Sequence, residues 1–473
     1  MNIVDEIFSR ADRTATALIA GDQSWSFGSL ETLVQQAAAQ LGSDGRQRVG
    51  LNCPNGVPHI VWSLAVLRCG GVLVPVAPEL STMERDQLLE TTGLDAVLCA
   101  EGKTWHHPAP QTKLLEGNAA LLTGFRTKDP VFSEAALAAV NPALIRFTSG
   151  TTGRRKGVVL SHETLFARVR ASNTRLNIGP GDRVIWTLPM AHHFAVSIIL
   201  YLLHGATTVI ETSHLGEDVA RALMQHEGTV LYASPFHHAL LASCEQAQPV
   251  PSLRLAVSTA AALPAATAEA FRQRLGIPLR QAMGIIECGL PLLNDLWPEA
   301  KPDSVGRPQE GYEISIRDEN GNAVSPGTVG DLFLRGPGFV DAYLAPWTPR
   351  EEILRDGWFH AGDQARIDQD GAVFLVGRSH SVINVGGMKC FPEEVETTLN
   401  QHPAVSESRV SAMAHATFGS VPVAEIVPAD AAAPPKMSEL SGWCRARLSN
   451  YKLPVKYTFV PAIPKTPSGK IQR

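Results

Sequence analysis

The chain has 473 residues, of which 44% are hydrophobic and 18% charged, and its formal net charge at pH 7 is −5. This length exceeds what one hydrophobic core supports, so we expect two or more domains. The slightly acidic balance gives no reason to expect nucleic acid or an acidic membrane surface as a partner.

Three further features indicate a cytoplasmic protein. No apolar run reaches the ~20 residues that span a bilayer, and the N-terminus lacks the basic-then-apolar pattern of a signal peptide. The seven cysteines are scattered, without a C-x-x-C pair. This spacing favours reduced thiols over a disulfide framework or a zinc site.

In the first part of the chain, β-rich apolar runs alternate with helical patterns. Residues 48–52 and 72–76 are typical of strands, and residues 59–69 carry apolar side chains at helical spacing. Such a β-α-β unit implies a parallel sheet. The same pattern predicts further strands at 96–99, 207–210, 230–233 and 255–258, and helices at 218–226 and 265–274.

The pattern changes near Tyr312, where short strands alternate with turns such as 318–322 and 368–371. This indicates an antiparallel, barrel-like section, and a smaller α+β segment follows from Gly377. The predicted fold class is therefore α/β. A large N-terminal domain of parallel or mixed sheets includes the barrel-like section, and a small α+β domain ends the chain.

One short turn, residues 146–157, carries hydroxyls, glycines and cations between two apolar runs. Glycines let backbone N–H groups approach a ligand closely, and successive N–H groups, hydroxyls and a lysine form an anion cradle. The turn therefore predicts a loop that holds a triphosphate, with a polar hairpin turn as the alternative. It is not a Walker A loop, because Gly150 and Lys156 do not fit that spacing.

Four later segments carry residues that suit a nucleotide. Residues 258–264 form a small-residue strand end against which a flat ring could lie, and Glu287 follows a glycine turn. Asp363 could accept two hydrogen bonds from a ribose diol, and Lys470 lies in a terminal segment that also holds Pro, Ser and Gly. Each segment alone also fits an ordinary turn, helix end or solvated lysine.

Together, in this order and spacing, the five segments resemble the adenylate-forming superfamily: acyl- and aryl-CoA synthetases, nonribosomal adenylation domains and firefly-type luciferases. The resemblance runs from about residue 10 to the end. It implies that a carboxylate attacks the α-phosphate of ATP to give acyl-AMP and pyrophosphate, and that a thiol then displaces AMP. It also implies ATP, Mg²⁺ and either CoA or a phosphopantetheinyl carrier protein.

The resemblance assigns roles residue by residue. Lys470 would bridge the carboxylate and the α-phosphate, Glu287 would bind Mg²⁺, and His192 would gate the carboxylate site, with a core histidine as the alternative. The other implied residues would bind the ATP phosphates (Thr148, Ser149, Gly150, Thr151, Thr152, Gly153 and Lys156), flank the adenine (Ala260, Ala261 and Met283) and bind the ribose (Asp363, with Arg378 nearby).

By the same resemblance, a large AMP-binding domain covers 1–376, a hinge covers 377–381 with Ser381 at the hinge position, and a small mobile domain covers 382–473. The small domain would rotate after adenylation. Lys470 would then leave the site, and the loop that carries Gly387 and Lys389 would line the thiol tunnel.

Three positions depart from the family pattern. Met283 stands where an aromatic usually stacks on adenine, Ile286 where a threonine usually contacts the α-phosphate, and Ser381 where the hinge usually has Asp or Lys. These departures motivate an alternative function, a weakened or non-catalytic relative that binds a nucleotide or an acyl-adenylate.

The acid is predicted from residues 189–197, which contain no Asp or Glu. An α-ammonium group would be desolvated there without a counter-charge, which argues against α-amino acids. The side chains there and nearby favour an aryl or a short-to-medium acyl acid without choosing between them. CoA is the expected acceptor, and a separate carrier protein is the alternative. The candidate pocket residues are His193, Phe194, Phe236, Gly284 and Ile285.

Overall fold

The computed structural model describes residues 1–42, 47–78, 80–100, 111–115, 119–123, 132–148, 156–261, 263–378, 383–390 and 392–464. The chain divides into two compact units. The large unit comprises Met1–Pro78, Glu90–Arg146 and Gly157–Val376, and the small unit comprises Glu79–Leu89, Phe147–Lys156 and Gly377–Arg473. The limits 1–376, 377–381 and 382–473 stay predictions, and residues 379–382 of the hinge region lie outside the described residues.

The helices, in chain order, are α1 (Ile3–Arg10), α2 (Phe27–Leu41), α3 (Val57–Arg68), α4 (Thr82–Thr92), α5 (Glu134–Ala139), α6 (His162–Leu176), α7 (Met190–His193), α8 (Ile198–Leu203), α9 (Gly216–Gln225), α10 (Pro235–Ser243), α11 (Ala265–Leu275), α12 (Arg350–Ile353), α13 (Pro392–Asn400) and α14 (Met437–Arg445). Within the described ranges, none of the helices is both long and apolar enough to cross a membrane.

The strands, in chain order, are β1 (Thr16–Ala20), β2 (Gln23–Ser26), β3 (Arg48–Asn52), β4 (Val72–Pro75), β5 (Ala96–Ala100), β6 (Gln111–Leu115), β7 (Ala119–Thr123), β8 (Pro142–Thr148), β9 (Lys156–Ser161), β10 (Arg183–Trp186), β11 (Thr207–Ile210), β12 (Val230–Ala233), β13 (Leu255–Ser258), β14 (Leu279–Ile285), β15 (Gly289–Leu293), β16 (Arg307–Pro308), β17 (Glu313–Arg317), β18 (Gly330–Arg335), β19 (Ala342–Tyr343), β20 (Thr348–Pro349), β21 (Phe359–Ile367), β22 (Val373–Arg378), β23 (Ile383–Val385), β24 (Met388–Cys390), β25 (Val405–His415), β26 (Gly419–Pro428) and β27 (Lys456–Phe459).

The predicted strands and helices are confirmed, with ends that move by a few residues. The helix predicted at 59–69 begins earlier, at Val57, because Pro58 fits the first turn of a helix, where no intrahelical N–H is needed. Helix α6 begins after Ser161, whose hydroxyl accepts from the Thr164 N–H at 3.0 Å. The side chain of Ser161 therefore supplies the N-cap of α6.

The first sheet of the large unit has the order β16-β15-β14-β13-β12-β10-β11-β1-β2. Its strands from β14 to β1 pair in parallel. Strands β12 and β13 are buried along their whole length, as expected for a parallel sheet that helices cover on both faces. On one face, α9, α10 and α11 pack Leu223, Leu241 and Phe271 against Leu231 and Ala256.

The second and third sheets complete the large unit. The second has the order β20-β19-β9-β8-β4-β3-β5-β7-β6, with β3 parallel to both β4 and β5. The third has the order β17-β18-β21-β22, and its β17–β18 and β18–β21 pairs are antiparallel. Tyr312, Leu334 and Phe359 belong to its core. This sheet confirms the change to antiparallel strands that the sequence predicts near Tyr312.

The small unit is an α+β structure, as predicted. Its sheet has the order β24-β23-β26-β25, and β27 lies parallel to β26. Lys452 is buried, with Nζ 2.6 Å from Glu84 Oε1 and 3.0 Å from Glu394 Oε1. These two carboxylates offset the unfavourable desolvation of the ammonium group.

Asp182 joins the amino ends of three strands in the first sheet. It precedes β10, and it accepts hydrogen bonds from Arg254 Nη2 at 2.6 Å, just before β13, and from Thr229 Oγ1 at 2.7 Å, just before β12. Burial alone would raise the pKa of Asp182, but the hydrogen bonds from Arg254 and Thr229 outweigh it and lower the pKa below 3.8. The ionised carboxylate therefore aligns these strands.

Replacing Asp182 by Asn is expected to destabilise the large unit by about 2–3 kcal/mol, because the hydrogen bonds lose their charged acceptor. Asp218→Asn is the matched control. Asp218 pairs with Arg221 on the exposed side of α9, where water screens the pair, and we expect little change in stability there. Chemical denaturation at neutral pH measures both variants, and equal losses would contradict the special role of Asp182.

Four buried histidines of the large unit are held neutral. Burial lowers the pKa of His59, His162 and His238 to about 4. Burial, with the nearby His214 and His238, lowers the pKa of His237 to about 3. In the unfolded chain each imidazole takes up its proton at about pH 6.5. The unfolded chain therefore binds more protons in this window, and stability rises with pH.

The free energy of unfolding of the large unit should fall as the pH is lowered from neutral, through about 6.5, toward about 4. In His238→Gln this pH dependence should be weaker by about one proton. His226→Gln, which changes a less buried ring after α9, serves as the control for the loss of a histidine side chain. Urea denaturation at several pH values measures the slopes, and a wild-type slope in His238→Gln would refute the explanation.

Candidate active site

The parallel strands of the first sheet end at one edge, and the candidate residues follow these ends. His192 and His193 follow β10, Phe236 follows β12, Ala260 follows β13 and Glu287 follows β14. The ends of β12 and β13 are level in the strand pairing. Ligands of open α/β sheets bind outside the carboxyl ends of the strands. The fold thus places predicted acid, adenine and metal residues along one edge.

The segment after β13 is strained. Ala260 has a φ of +71°, a left-handed conformation that is unfavourable for a residue with a Cβ. Backbone strain of this kind concentrates at functional sites, where the surroundings impose it. Burial raises the pKa of Tyr232 to about 12, and a hydrogen bond with Thr259 opposes that shift. Thr259 is therefore held against β12, next to the strained main chain of Ala260.

Residues around the end of β14 differ in exposure. Met283 is buried in the same core as Tyr312, whereas Gly284 is exposed and Ile285 is half-buried. Ile286, where the family usually has a threonine, is buried at 8% exposure. The predicted roles of Met283 at the adenine and of Gly284 and Ile285 at the acid stay predictions.

Glu287 lies in a group of interacting charges. Burial, and then the charges of Glu287 and Asp363, raise the pKa of the Cys288 thiol well above its usual value. Burial and then Glu287 raise the pKa of Tyr343, whose hydroxyl hydrogen-bonds to Glu287. Burial lowers the pKa of Arg146 to about 10, and Glu287 opposes that shift. We call Arg146, Glu287, Tyr343 and Asp363 the glutamate cluster.

The glutamate cluster suits a metal ion that is bound partly by the protein and partly by the phosphates of a nucleotide. Among the described residues, no group of three or more His, Cys, Asp or Glu side chains could hold a metal ion on its own. Mg²⁺ commonly binds through one or two carboxylates together with substrate phosphates. Glu287 alone therefore suits Mg²⁺ bound to a triphosphate, and Arg146 adds positive charge beside it.

The predicted ribose residues come from the third sheet. Asp363 is buried at 6% exposure within β21, and Gly362 before it has a φ of +71°. Arg378 is the last residue of β22, and its side chain lies outside the described residues. The charges of Asp363 and Glu287 both raise the pKa of the Cys288 thiol. The predicted ribose and metal residues therefore lie close enough to affect the same side chain.

Aromatic rings lie beneath the edge where the acid pocket is predicted. The His193 ring meets Trp186 edge-on at 6.1 Å, and Trp186 stacks on Tyr232 at 6.1 Å with an interplanar angle of 17°. Phe194 is buried at 2% exposure against His59, so it belongs to the core. Its role as a pocket residue stays a prediction, as does the gating role of the half-buried His192.

A histidine pair lies beside Phe236. The half-buried Phe236 ring contacts His237 at 5.5 Å, and His237 Nε2 is 2.9 Å from His214 Nδ1. The other nitrogen of His237, Nδ1, is 2.7 Å from Ser234 Oγ. This polar chain is buried at Ser234 and His237 and exposed at His214, and it lies beside the predicted pocket residue Phe236.

Several predicted residues lie partly or wholly outside the described residues. Thr148 ends β8 and the exposed Lys156 begins β9. Gly387 occupies a two-residue turn between β23 and β24, where its N–H donates to Asn384 Oδ1 at 2.9 Å, and Lys389 is a residue of β24. The predicted residues outside the described ranges are Ser149, Gly150, Thr151, Thr152, Gly153, Ser381 and Lys470.

The predicted site residues include neither Tyr343 nor His237, and they give no separate role to Arg146, the first residue of the predicted phosphate-holding turn. Arg146 is a charged residue inside the apolar run that precedes the phosphate loop, and this was the available signal. His237 and His238 follow a strand end, which is also visible in the sequence. Tyr343 gave no local signal, because the antiparallel pairing of β19 with β9 brings it into place.

Comparison with known proteins identifies the family. The AMP-binding enzyme family matches residues 7–344, and its C-terminal domain matches residues 394–470. Sulfoacetate–CoA ligase of Cupriavidus necator is 31% identical over 469 residues, covering 92% of this chain and 88% of that protein. Feruloyl-CoA synthase of an Amycolatopsis species is 28% identical, covering 98% of this chain and 95% of that protein.

A solved structure agrees over the whole chain. A double mutant of o-succinylbenzoate CoA synthetase from Bacillus subtilis, bound with its product analogue, has a TM-score of 0.85 at 25% identity, covering 100% of this chain and 97% of that one. The predicted fold class is therefore confirmed. With two family matches that span most of its length, the chain belongs to the AMP-binding enzyme family.

Proposed function

We propose that the chain is an ATP-dependent acid–thiol ligase that adenylates a carboxylic acid and transfers the acyl group to CoA. Membership of the AMP-binding enzyme family supports this activity, as do relatives named as CoA ligases. The observation that carries the proposal is the pair of family matches, to the AMP-binding enzyme over residues 7–344 and to its C-terminal domain over residues 394–470. Glu287 and Asp363, which both raise the pKa of the buried Cys288 thiol, agree with it.

In the first half-reaction, a carboxylate oxygen of the acid bonds to the α-phosphorus of ATP, and the bond to pyrophosphate breaks. Mg²⁺, when bound, supplies positive charge to the phosphate oxygens. Glu287 would hold it, and Asp363 would hold the ribose. Lys470 would offset the charge that develops between the two anions.

In the second half-reaction, the thiol sulfur bonds to the acyl carbon, the bond to AMP breaks and the thiol gives up its proton. Gly387 and Lys389 would line the thiol tunnel after rotation about the hinge at Ser381. The positive charge of Lys389 would favour the phosphates of CoA, and equally the phosphate of a carrier protein's phosphopantetheine arm.

We propose an aryl or short-to-medium acyl acid as the substrate. The stacked rings of Trp186 and Tyr232 underlie the edge near His193. Two other predicted pocket residues, Phe236 and Ile285, are half-buried apolar side chains. An aryl acid is consistent with the name of the feruloyl-CoA relative. The lack of Asp or Glu over residues 189–197 disfavours an α-ammonium group.

A panel of carboxylic acids in an ATP–pyrophosphate exchange assay tests the proposed reaction. We expect exchange with aryl or short-to-medium acyl acids and none with α-amino acids. Addition of CoA, or separately of a holo-carrier protein, then identifies the acceptor by thioester formation. If no acid supports exchange while ATP still binds, the non-catalytic alternative is favoured and the ligase proposal is rejected.

Lys470→Ala is expected to lower adenylation by about 10²–10³-fold, which is the loss typical of one charged contact in a transition state. Thioester formation from a supplied acyl-AMP should be nearly unchanged, because Lys470 acts only in the first step. Lys456→Ala is the control, since Lys456 is exposed on β27. Equal losses in both half-reactions would contradict the assignment of Lys470.

A further inference from the structure

Arg168 is a fully buried arginine of α6, at 0% exposure. Its Nε donates to the Gly338 carbonyl at 2.9 Å, and Nη1 donates to the Ile286 carbonyl at 2.8 Å. Its Nη2 donates to Gly338 again at 2.6 Å and to the Glu287 carbonyl at 3.3 Å. These hydrogen bonds all go to main-chain carbonyls, and two of them hold the main chain at Glu287.

A buried guanidinium is unfavourable unless its donors are satisfied, because its charge leaves water. Arginine presents a planar fork of donors that can bind several carbonyls at once, whereas lysine offers a point charge on a flexible stem. The arrangement around Arg168 uses that fork. Arg168 therefore holds a particular main-chain geometry in addition to filling space.

The main chain after Glu287 is held as well. The Val340 N–H donates to the Glu287 carbonyl at 2.7 Å, and the Tyr312 hydroxyl donates to the Cys288 carbonyl at 3.1 Å. Together with the hydrogen bond from Arg168 to Ile286, these bonds give partners to three successive carbonyls, those of Ile286, Glu287 and Cys288. The hydrogen bonds to these three carbonyls thus restrain the main chain from which the Glu287 side chain extends.

The contact between Arg168 and Gly338 leaves no spare room. Gly338 has a φ of +69°, and a Cβ built on it would lie 2.4 Å from the Arg168 Cβ. Glycine is therefore required at 338 both for its backbone conformation and for the close approach of α6. This close fit keeps the guanidinium at the carbonyls of Ile286 and Glu287.

We propose that Arg168 is a positioning residue for Glu287, holding the main chain so that the Glu287 carboxylate meets Mg²⁺ bound to ATP. The inference rests on the proposed function, in which Glu287 is the metal ligand. It adds that the affinity of the site for Mg²⁺ depends on a residue that touches neither the metal nor the nucleotide.

The test uses the full chain and measures how ATP binding depends on Mg²⁺ concentration, by calorimetry without any acid present. Arg168→Met should raise the Mg²⁺ concentration for half-saturation about 10-fold or more, the effect typical of residues that orient metal ligands. Arg168→Lys should recover part of this loss. Arg48→Met is the control, because Arg48 is equally buried but bonds to Gly93 and Glu134.

A double-mutant cycle separates positioning from stability. If Arg168 acts through Glu287, then Arg168→Met combined with Glu287→Gln should need no more Mg²⁺ than Glu287→Gln alone. Additive effects, or wild-type Mg²⁺ dependence in a folded Arg168→Met variant, would overturn the proposal. If Arg168→Met does not fold, Arg168→Lys decides: a raised half-saturation supports the proposal and an unchanged value overturns it.

The Glu287→Gln variant distinguishes this inference from the proposed function. A raised Mg²⁺ requirement in Glu287→Gln, together with a wild-type value in the Arg168 variants, removes only the positioning role. A wild-type Mg²⁺ requirement in Glu287→Gln removes the metal assignment itself, and the positioning role is overturned with it. Pyrophosphate exchange by the same preparations provides an independent check.

Discussion

The parallel pairing of β10, β12, β13 and β14 is the constraint on which the candidate site depends. Asp182 aligns three of these strands at their amino ends through Thr229 and Arg254. The opposite ends then meet at one edge, where the loops are free to carry polar and strained residues such as Ala260. Stability and chemistry are thus divided between the two ends of the same strands.

Much of the fold was predictable because it depends on local pattern. The β-α-β unit formed by β3, α3 and β4 follows from alternating apolar runs, and the change near Tyr312 follows from the spacing of turns. The family is confirmed because its motifs are local and occur in order. The place of residues 79–89 in the small unit was not predictable, because Lys452 pairs with Glu84, far away in the chain, and no local pattern encodes such a pairing.

The candidate site likewise contains residues that local motifs predict and residues that they do not. Glu287 and Asp363 were predicted as site residues because each lies in a short motif, and the charges of both raise the pKa of the Cys288 thiol. Arg168 was missed, although α6 carries a readable signal. Leu165, Val169 and Ser172 mark its buried face, and Arg168 shares that face, whereas Arg170 is exposed. A charge on a buried helical face indicates a partner but does not name it, because Gly338 and Ile286 are distant in sequence.

Gly338 also determines how parts of this protein can be exchanged with those of relatives. A segment with any other residue at this position would push a Cβ into α6. An α6 without arginine would leave the Ile286 carbonyl without its buried donor and the Glu287 carbonyl with only the Val340 N–H. Helix α6 and the chain around Gly338 therefore form one transferable block. A chimera that imports either of them alone would carry a steric clash or a polar void directly behind the glutamate cluster.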